Sequence, residues 1–423
     1  MTQVPTPTAT RAAVRPPVAH VELFRAGFWL GLVGFGGGMS VLGQLHHLVV
    51  ERRRWLTERE FANTATVAQM LPGGAAANAL AHVGLRVQGI AGAAVAYTGF
   101  VLPGAAITLA LAWAYVRFGV APRAGVVLSG LNAAVVGIIG ALALQMVRSA
   151  VARAWQMAVA TAALLLSVAG GAASGEIALL GIAAGLVIDL GAKRARLARV
   201  RRRPRKASPP VALPDEGQPL ERLDATRPHP DPARLPAIVP LGGLALGVGA
   251  GGLLALGLLF FRTGLGAYGG GFAIIPHLHA TAVGGGWIGE RQFADAVAVG
   301  KLTPGPVLLM ATFIGYVAHG LPGAIVATFT IFAAPFVLVV VLGAWLLRMR
   351  SRRTVRAALR GLTPAVVGLM AAAAVTLGAT LRGPPDVGIA AATALTLSRF
   401  RVNPALLLVI AGLVRWGLQL AGV

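Results

Sequence analysis

Lys301–Pro306 (KLTPGP) puts a lysine, a hydroxyl and a proline–glycine corner inside a stretch otherwise apolar enough for lipid. Lys301 offers a cation and Thr303 a hydroxyl. Pro304 and Gly305 interrupt a helix and bring backbone N–H groups forward. What these groups can do together is hold a negative ion. A cation at the bilayer centre costs about 2.5–3.5 kcal/mol on insertion scales, and neutralising a bound dianion would offset that cost. The alternative is a lysine that snorkels to the interface or pairs with Asp295, six residues earlier and off its helical face.

The same set of groups occurs once before. Gln69, Pro72 and Gly73 stand where Lys301, Pro304 and Gly305 stand in the second copy, and Gln69 can donate to an oxyanion or bond a neighbouring helix. Two glycine triplets, Gly36–Gly38 and Gly269–Gly271, recur likewise. So do Trp55–Phe61 (WLTEREF) with Trp287–Phe293 (WIGERQF), and Gly130–Gly137 (GLNAAVVG) with Gly361–Gly368 (GLTPAVVG). Gly89–Ala93 returns as Gly320–Ala324, and Pro103 as Pro335, all at an offset of 231 to 233 residues. Within the first of these motifs Glu58 and Arg59 recur as Glu290 and Arg291. Either they gate the passage of an anion, or they fix the start of a helix, since acids suit helix N-termini. Asn63, Asn78, Thr303 and Thr312 carry the same choice between ligand contact and helix–helix hydrogen bond.

The elements that position these groups are helices too short to cross. Thr57 followed by Glu60 is a capping box, and the helix it opens meets Leu71-Pro72-Gly73-Gly74. About 13 residues at 1.5 Å each reach roughly 20 Å, short of the roughly 30 Å hydrocarbon core. In the second copy Gly289 is the cap, Gln292 is at the third helical position, and Thr303–Pro306 is the break. Thr303 as N-cap and Pro304 at the first helical position predict a new helix from Pro304. Each half then contains a re-entrant hairpin. The triplets break a further helix in each half, so four helix N-termini point inward with their partial positive charge. Interrupted helices at corresponding positions of two halves are the best sequence pointer to a transporter site.

Composition sets the frame. Of 423 residues, 56% are hydrophobic and 12% charged, mean hydropathy is +0.75, and there is no cysteine. The reading is an all-α polytopic membrane protein of two homologous, inverted-topology repeats, each with broken helices and full spans. Its expected parts are a disordered tail (1–20), a first repeat (21–192), a basic Pro-rich linker (193–236) and a second repeat with one extra helix (237–423). The linker begins with nine Lys/Arg in Lys193–Lys206, which places it in the cytoplasm. Equivalent loops alternate in which half is richer in arginine. Glu51–Arg59 has four against one in Gly284–Arg291, and Arg117–Arg123 two against six in Arg348–Arg360. Next, Arg148–Arg153 has two against one in Arg382–Asp386, and Gly170–Gly175 none against two in Ser398–Asn403. Parallel repeats would put equivalent loops on one side and show no such alternation. Pro103 and Pro335 kink long helices and could hinge them.

The net charge of +23 is read as positive-inside bias and attraction to anionic lipid, not as nucleic-acid binding. His46, His47, His277 and His279 lack metal-site spacing, so neither a metal nor a cofactor is expected. No HExxH, GxSxG or Walker A motif is present, which argues against an intramembrane enzyme or an ATPase. Partners are a small oxyanion and the bilayer. A homodimer stays open.

On GFGGG, GAYGGG, WLTEREF, WIGERQF, LTPGPVLLMATFIGY and GLTPAVVG the chain resembles the chromate ion transporter family in its long two-domain form, from about Glu22 onward. The resemblance implies export of chromate across the bacterial inner membrane, with sulfate as the isosteric competitor or counter-substrate. Two positions depart from the family pattern: Lys301 stands where glutamine is usual, and Gly74 where the second proline of Pro-Gly-Pro is usual.

Overall fold

The computed structural model describes residues 18–34, 38–119, 122–169, 172–202, 252–349, 352–400 and 402–422. The described residues within 1–188 and 250–423 form one compact unit, and 189–202, which are helical, belong to a second. Most of the expected tail and linker, and the extra apolar stretch at 237–251, lie outside the described residues. Helix occupies 193–202, so the basic stretch expected to be disordered opens with helical turns.

In the first half the helices are α1 (His20–Val33), α2 (Gly38–His46), α3 (Glu58–Met70), α4 (Ala75–Phe118), α5 (Pro122–Ala150), α6 (Ala154–Val168) and α7 (Ser174–Arg202). The second half repeats the order with α8 (Leu253–Leu265), α9 (Ile275–Ala282), α10 (Glu290–Leu302), α11 (Met310–Met349), α12 (Arg353–Gly378), α13 (Gly383–Arg399) and α14 (Pro404–Leu420). A 3₁₀ segment, Gly269–Ile274, precedes α9, and another, Val307–Leu309, precedes α11. Five helical stretches among the described residues are long and apolar enough to cross a bilayer. The protein is an all-α, multi-pass membrane protein.

α3 begins as its sequence dictates. The Thr57 hydroxyl accepts the Glu60 N–H, and the Glu60 carboxylate accepts the Thr57 N–H at 2.8 Å. At α10 the Gly289 N–H donates to Gln292 Oε1 at 2.8 Å, the half of the box that a glycine cap permits. Both helices end after 13 residues. α4 and α11, at 44 and 40 residues, are each two helices joined at a kink. The joints are equivalent, with φ/ψ of 66°/−156° at Gly89 and 63°/−152° at Gly320. The segments before these joints are the return legs of the two hairpins.

The predicted helix start at Pro304 is corrected. Thr303 is instead the C-cap of α10, with φ −73° and ψ 138°, and its hydroxyl donates back to the Val299 carbonyl. Gly305 has φ +110°, and regular helix resumes only beyond Pro306. The reason is that a proline disfavours helical geometry in the residue before it. Pro304 and Pro306 thus hold both Thr303 and Gly305 out of the helix.

Packing exchanges partners between the halves. α5 packs on α13 and α14 of the second half, and α12 packs on α6 of the first. Gly137 on α5 lies against the Ala390 carbonyl of α13, and Gly368 on α12 against the Ala160 carbonyl of α6. A Cβ at either position would strike backbone. The core is apolar, with Leu23, Leu30, Ile138, Phe260, Phe293 and Phe313 fully buried. Large apolar side chains such as Trp113, Phe118, Phe329 and Val341 are exposed, as a lipid-facing surface requires.

Candidate functional site

The hairpin tips and glycine breaks, far apart in sequence, meet through reciprocal contacts. The Gly73 N–H at the first tip donates to the Ala267 carbonyl in the second glycine break at 2.8 Å. The Gly305 N–H at the second tip points to the Gly34 carbonyl in the first break at 3.4 Å. The tips also touch, since a Cβ on Gly74 would lie 3.4 Å from Pro306. Each tip nests on the kinked helix of the opposite half, Gly73 against Pro335 and the Pro304 carbonyl against Gly104, next to Pro103. Gly73 (φ +106°) and Gly305 (φ +110°) adopt a backbone that a side chain would strain.

Several expected roles are refined by these contacts. The Gly73 N–H is committed to a protein carbonyl, and Gly305 is turned toward one. Thr303 is buried, its hydroxyl donating to Val299 and accepting from Thr108 at 3.2 Å. Asn78 Nδ2 donates to the Pro72 carbonyl at 2.8 Å at the first tip. The Thr312 and Thr328 hydroxyls bond each other at 2.7 Å across the α11 kink. Gly269, Gly270 and Gly271 all have positive φ, from 63° to 94°. Gly36 and Gly37 lie outside the described residues, and Gly38 opens α2.

Lys301 does not pair with Asp295. Its Nζ lies 4.9 Å from the centre of the Phe272 ring, directly after the second triplet. Among the described residues it has no ion pair. An ammonium group over an aromatic face is attracted by the ring without being neutralised by it. Gln69 is exposed, with no protein hydrogen-bond partner among the described residues.

The acid at the start of each re-entrant helix is taken by histidine. Glu58 pairs with His46 at 2.9 Å and Glu290 with His279 at 2.6 Å. Those histidines also stack edge-on against Phe61 and Phe293. The motif therefore clamps α2 to α3 and α9 to α10, which supports the cap-fixing alternative for Glu58 and Glu290. Arg59 is exposed. Arg291 approaches Asp295 at 4.0 Å and faces a cavity of about 380 Å³.

That cavity joins Asp295, offered by the sequence as a partner for Lys301, to residues outside the sequence-derived set. Asp295, 1% exposed, accepts from Tyr115 of α4 and Asn132 of α5, each at 3.0 Å. Asp386 accepts from Ser129 at 2.7 Å, from the Arg382 N–H at 3.0 Å and from Arg415 at 2.9 Å. A signal existed for some of these: Asp386 is one of only 14 acids in the chain, and Asn132 falls where the repeated motif has Thr363. Among the described residues no cluster of His, Asp and Glu could hold a metal ion.

Comparison with known proteins places the chain in a family. The profile of the family described as Chromate transporter matches residues 21–188 and 254–416. The probable chromate transport protein of Synechococcus elongatus is 30% identical over 366 residues, 86% of each chain. The chromate transport protein of Cupriavidus metallidurans is 30% identical over 352 residues, 82% of this chain and 80% of its own. That of Pseudomonas aeruginosa is 28% identical over 380 residues, 87% and 83% respectively. No solved structure matches.

Proposed function

The chain belongs to the chromate transporter family, and on that premise we propose that it is a secondary transporter for chromate or a like tetrahedral oxyanion such as sulfate. The direction is export across the inner membrane, by alternating access between two inverted halves joined by a cytoplasmic linker. The observation that carries the reading is the convergence of both hairpin tips and the glycine breaks on one another. Helix N-termini inside a membrane protein, such as that of α4 just behind the first tip, place partial positive charge where lipid offers nothing to neutralise it. Lys301 adds an ammonium group that has no ion pair among the described residues. Donors for the ion are Lys301, Gln69, the first turn of α4 behind Gly74, and the 3₁₀ segment at Gly269–Ile274. The relatives are named as transport proteins, and the site holds groups for binding rather than for catalysis.

The test is uptake of labelled chromate, sulfate and other oxyanions into inverted membrane vesicles. Chromate accumulation above vesicles lacking the protein supports export. Accumulation of a different inorganic anion in its place would assign the second reading, which the departure at Lys301 favours. Lys301→Gln should weaken uptake or shift its selectivity. Unchanged uptake of every oxyanion would remove Lys301 from the site.

A further inference from the structure

The cavity beside Arg291 is a second place where an anion fits. It is bounded by the N-terminal turn of α10, the facing side of α5 and the turn between α12 and α13. Three carboxylates and two guanidiniums line it. Each carboxylate already has donors. Asp386 has Ser129, Arg415 and the Arg382 backbone N–H; Asp295 has Tyr115 and Asn132; Glu290 has His279. The guanidiniums are not used up in the same way. Arg382 is exposed and has no ion pair among the described residues, and Arg291, 47% exposed, reaches Asp295 only at 4.0 Å. The charges of both arginines act on Asp295 across the cavity, but none of its acids takes a hydrogen bond from either guanidinium, so their N–H groups remain open to an incoming ligand.

We propose that this cavity is an outer loading site at which Arg291 and Arg382 capture a tetrahedral oxyanion before it reaches the glycine-lined centre. The proposal rests on the oxyanion reading above. A planar guanidinium fork matches two oxygens of such an ion. About 380 Å³ admits the ion with part of its hydration shell, at about 30 Å³ per water. α10 supplies the path: Arg291 opens it and Lys301 lies in its last turn, ten residues and about 15 Å further along. One helix therefore carries a cation at its outer end and another at its inner end. A phosphate group of a lipid head has the same chemistry, and the test separates the two sources.

Equilibrium binding of labelled chromate and sulfate is measured on the purified full-length protein in detergent, with and without added phosphatidylglycerol. Transport KM and kcat are measured after reconstitution. Two anion equivalents are expected for the unaltered chain. Arg382→Gln should lose one of them and raise KM about tenfold, the loss of one charge-assisted contact, while kcat holds. Lys301→Gln should lose the other. The arginine-dependent site, being exposed, should weaken more steeply with salt. If Arg382→Gln keeps both equivalents and the same KM, or changes only lipid retention, the loading site is overturned. If the unaltered chain binds no oxyanion at all, it is the functional reading that fails. Should Arg382→Gln not fold, Arg382→Lys decides: it keeps the charge and loses the fork, and an unchanged KM overturns the proposal.

Discussion

Asp295 shows how much one residue can tie together. Its carboxylate collects a phenol from α4 and an amide from α5 while sitting on α10, so three helices meet on two oxygens. Asp295→Ala would take this acceptor from two half-buried donors, Tyr115 and Asn132, at up to about 1–3 kcal/mol each. A lower midpoint of thermal unfolding in detergent is expected, with Asp295→Asn milder because its carbonyl still accepts one bond. Equal midpoints for the alanine variant and the unaltered chain would show that Tyr115 and Asn132 find other partners. Sequence alone offers Asp295 as a lysine's alternative partner and, being a rare membrane-depth carboxylate, as the main candidate for proton coupling; it does not reveal which neighbouring helices present a phenol and an amide.

The re-entrant hairpin is the element on which the rest depends. Its inward leg was legible: a capping box at one end and a proline–glycine corner at the other bound 13 residues in each half. Its turn was not. Pro304 matches the statistics of a first helical residue, yet Pro306 two positions on forbids the helix there. Gly305 sits at φ +110°, where a Cβ costs about 1–3 kcal/mol. Gly305→Ala should lower the unfolding midpoint and depress transport, because the tip also touches Gly74 and Gly34. Gly320→Ala, at a comparably positive φ but with open space around it, should lower the midpoint and affect transport less. Equal loss of transport in both variants would mean that the tip has no special place in the cycle.

At the scale of the whole molecule the exchange of partners is the main feature. α5 lies on the second half's last helices and α12 on the first half's α6, sealed by Gly137 and Gly368. Gly368→Leu should force α12 off α6 and cost stability, about 1–3 kcal/mol for an overpacked seam, read as a lower unfolding midpoint. The inverted topology proposed above makes a separate prediction. The chain has no cysteine, so one introduced thiol reports alone. Ser149→Cys and Pro384→Cys, at the helix ends that flank equivalent connections (the last turn of α5 and the first of α13), should react with an impermeant maleimide from opposite faces of sealed vesicles. Labelling from the same face would replace inversion with parallel repeats.

The sequence by itself determined that this chain is helical and crosses a membrane, that its landmarks occur twice, and where its short helices stop. Those properties follow from composition and from local rules of capping, proline geometry and bilayer thickness, which act within a few residues. The tertiary structure alone decided that the tip of one half closes on the glycine break of the other. It decided that histidines, not arginines, hold Glu58 and Glu290, and that Arg291 and Arg382 share a cavity. These are contacts between segments some 200 residues apart in several cases. The tip contacts arise from how the helices exchange partners between the halves, and the His–Glu pairs, 12 and 11 residues apart, from how consecutive short helices fold back on each other; neither is encoded by local spacing.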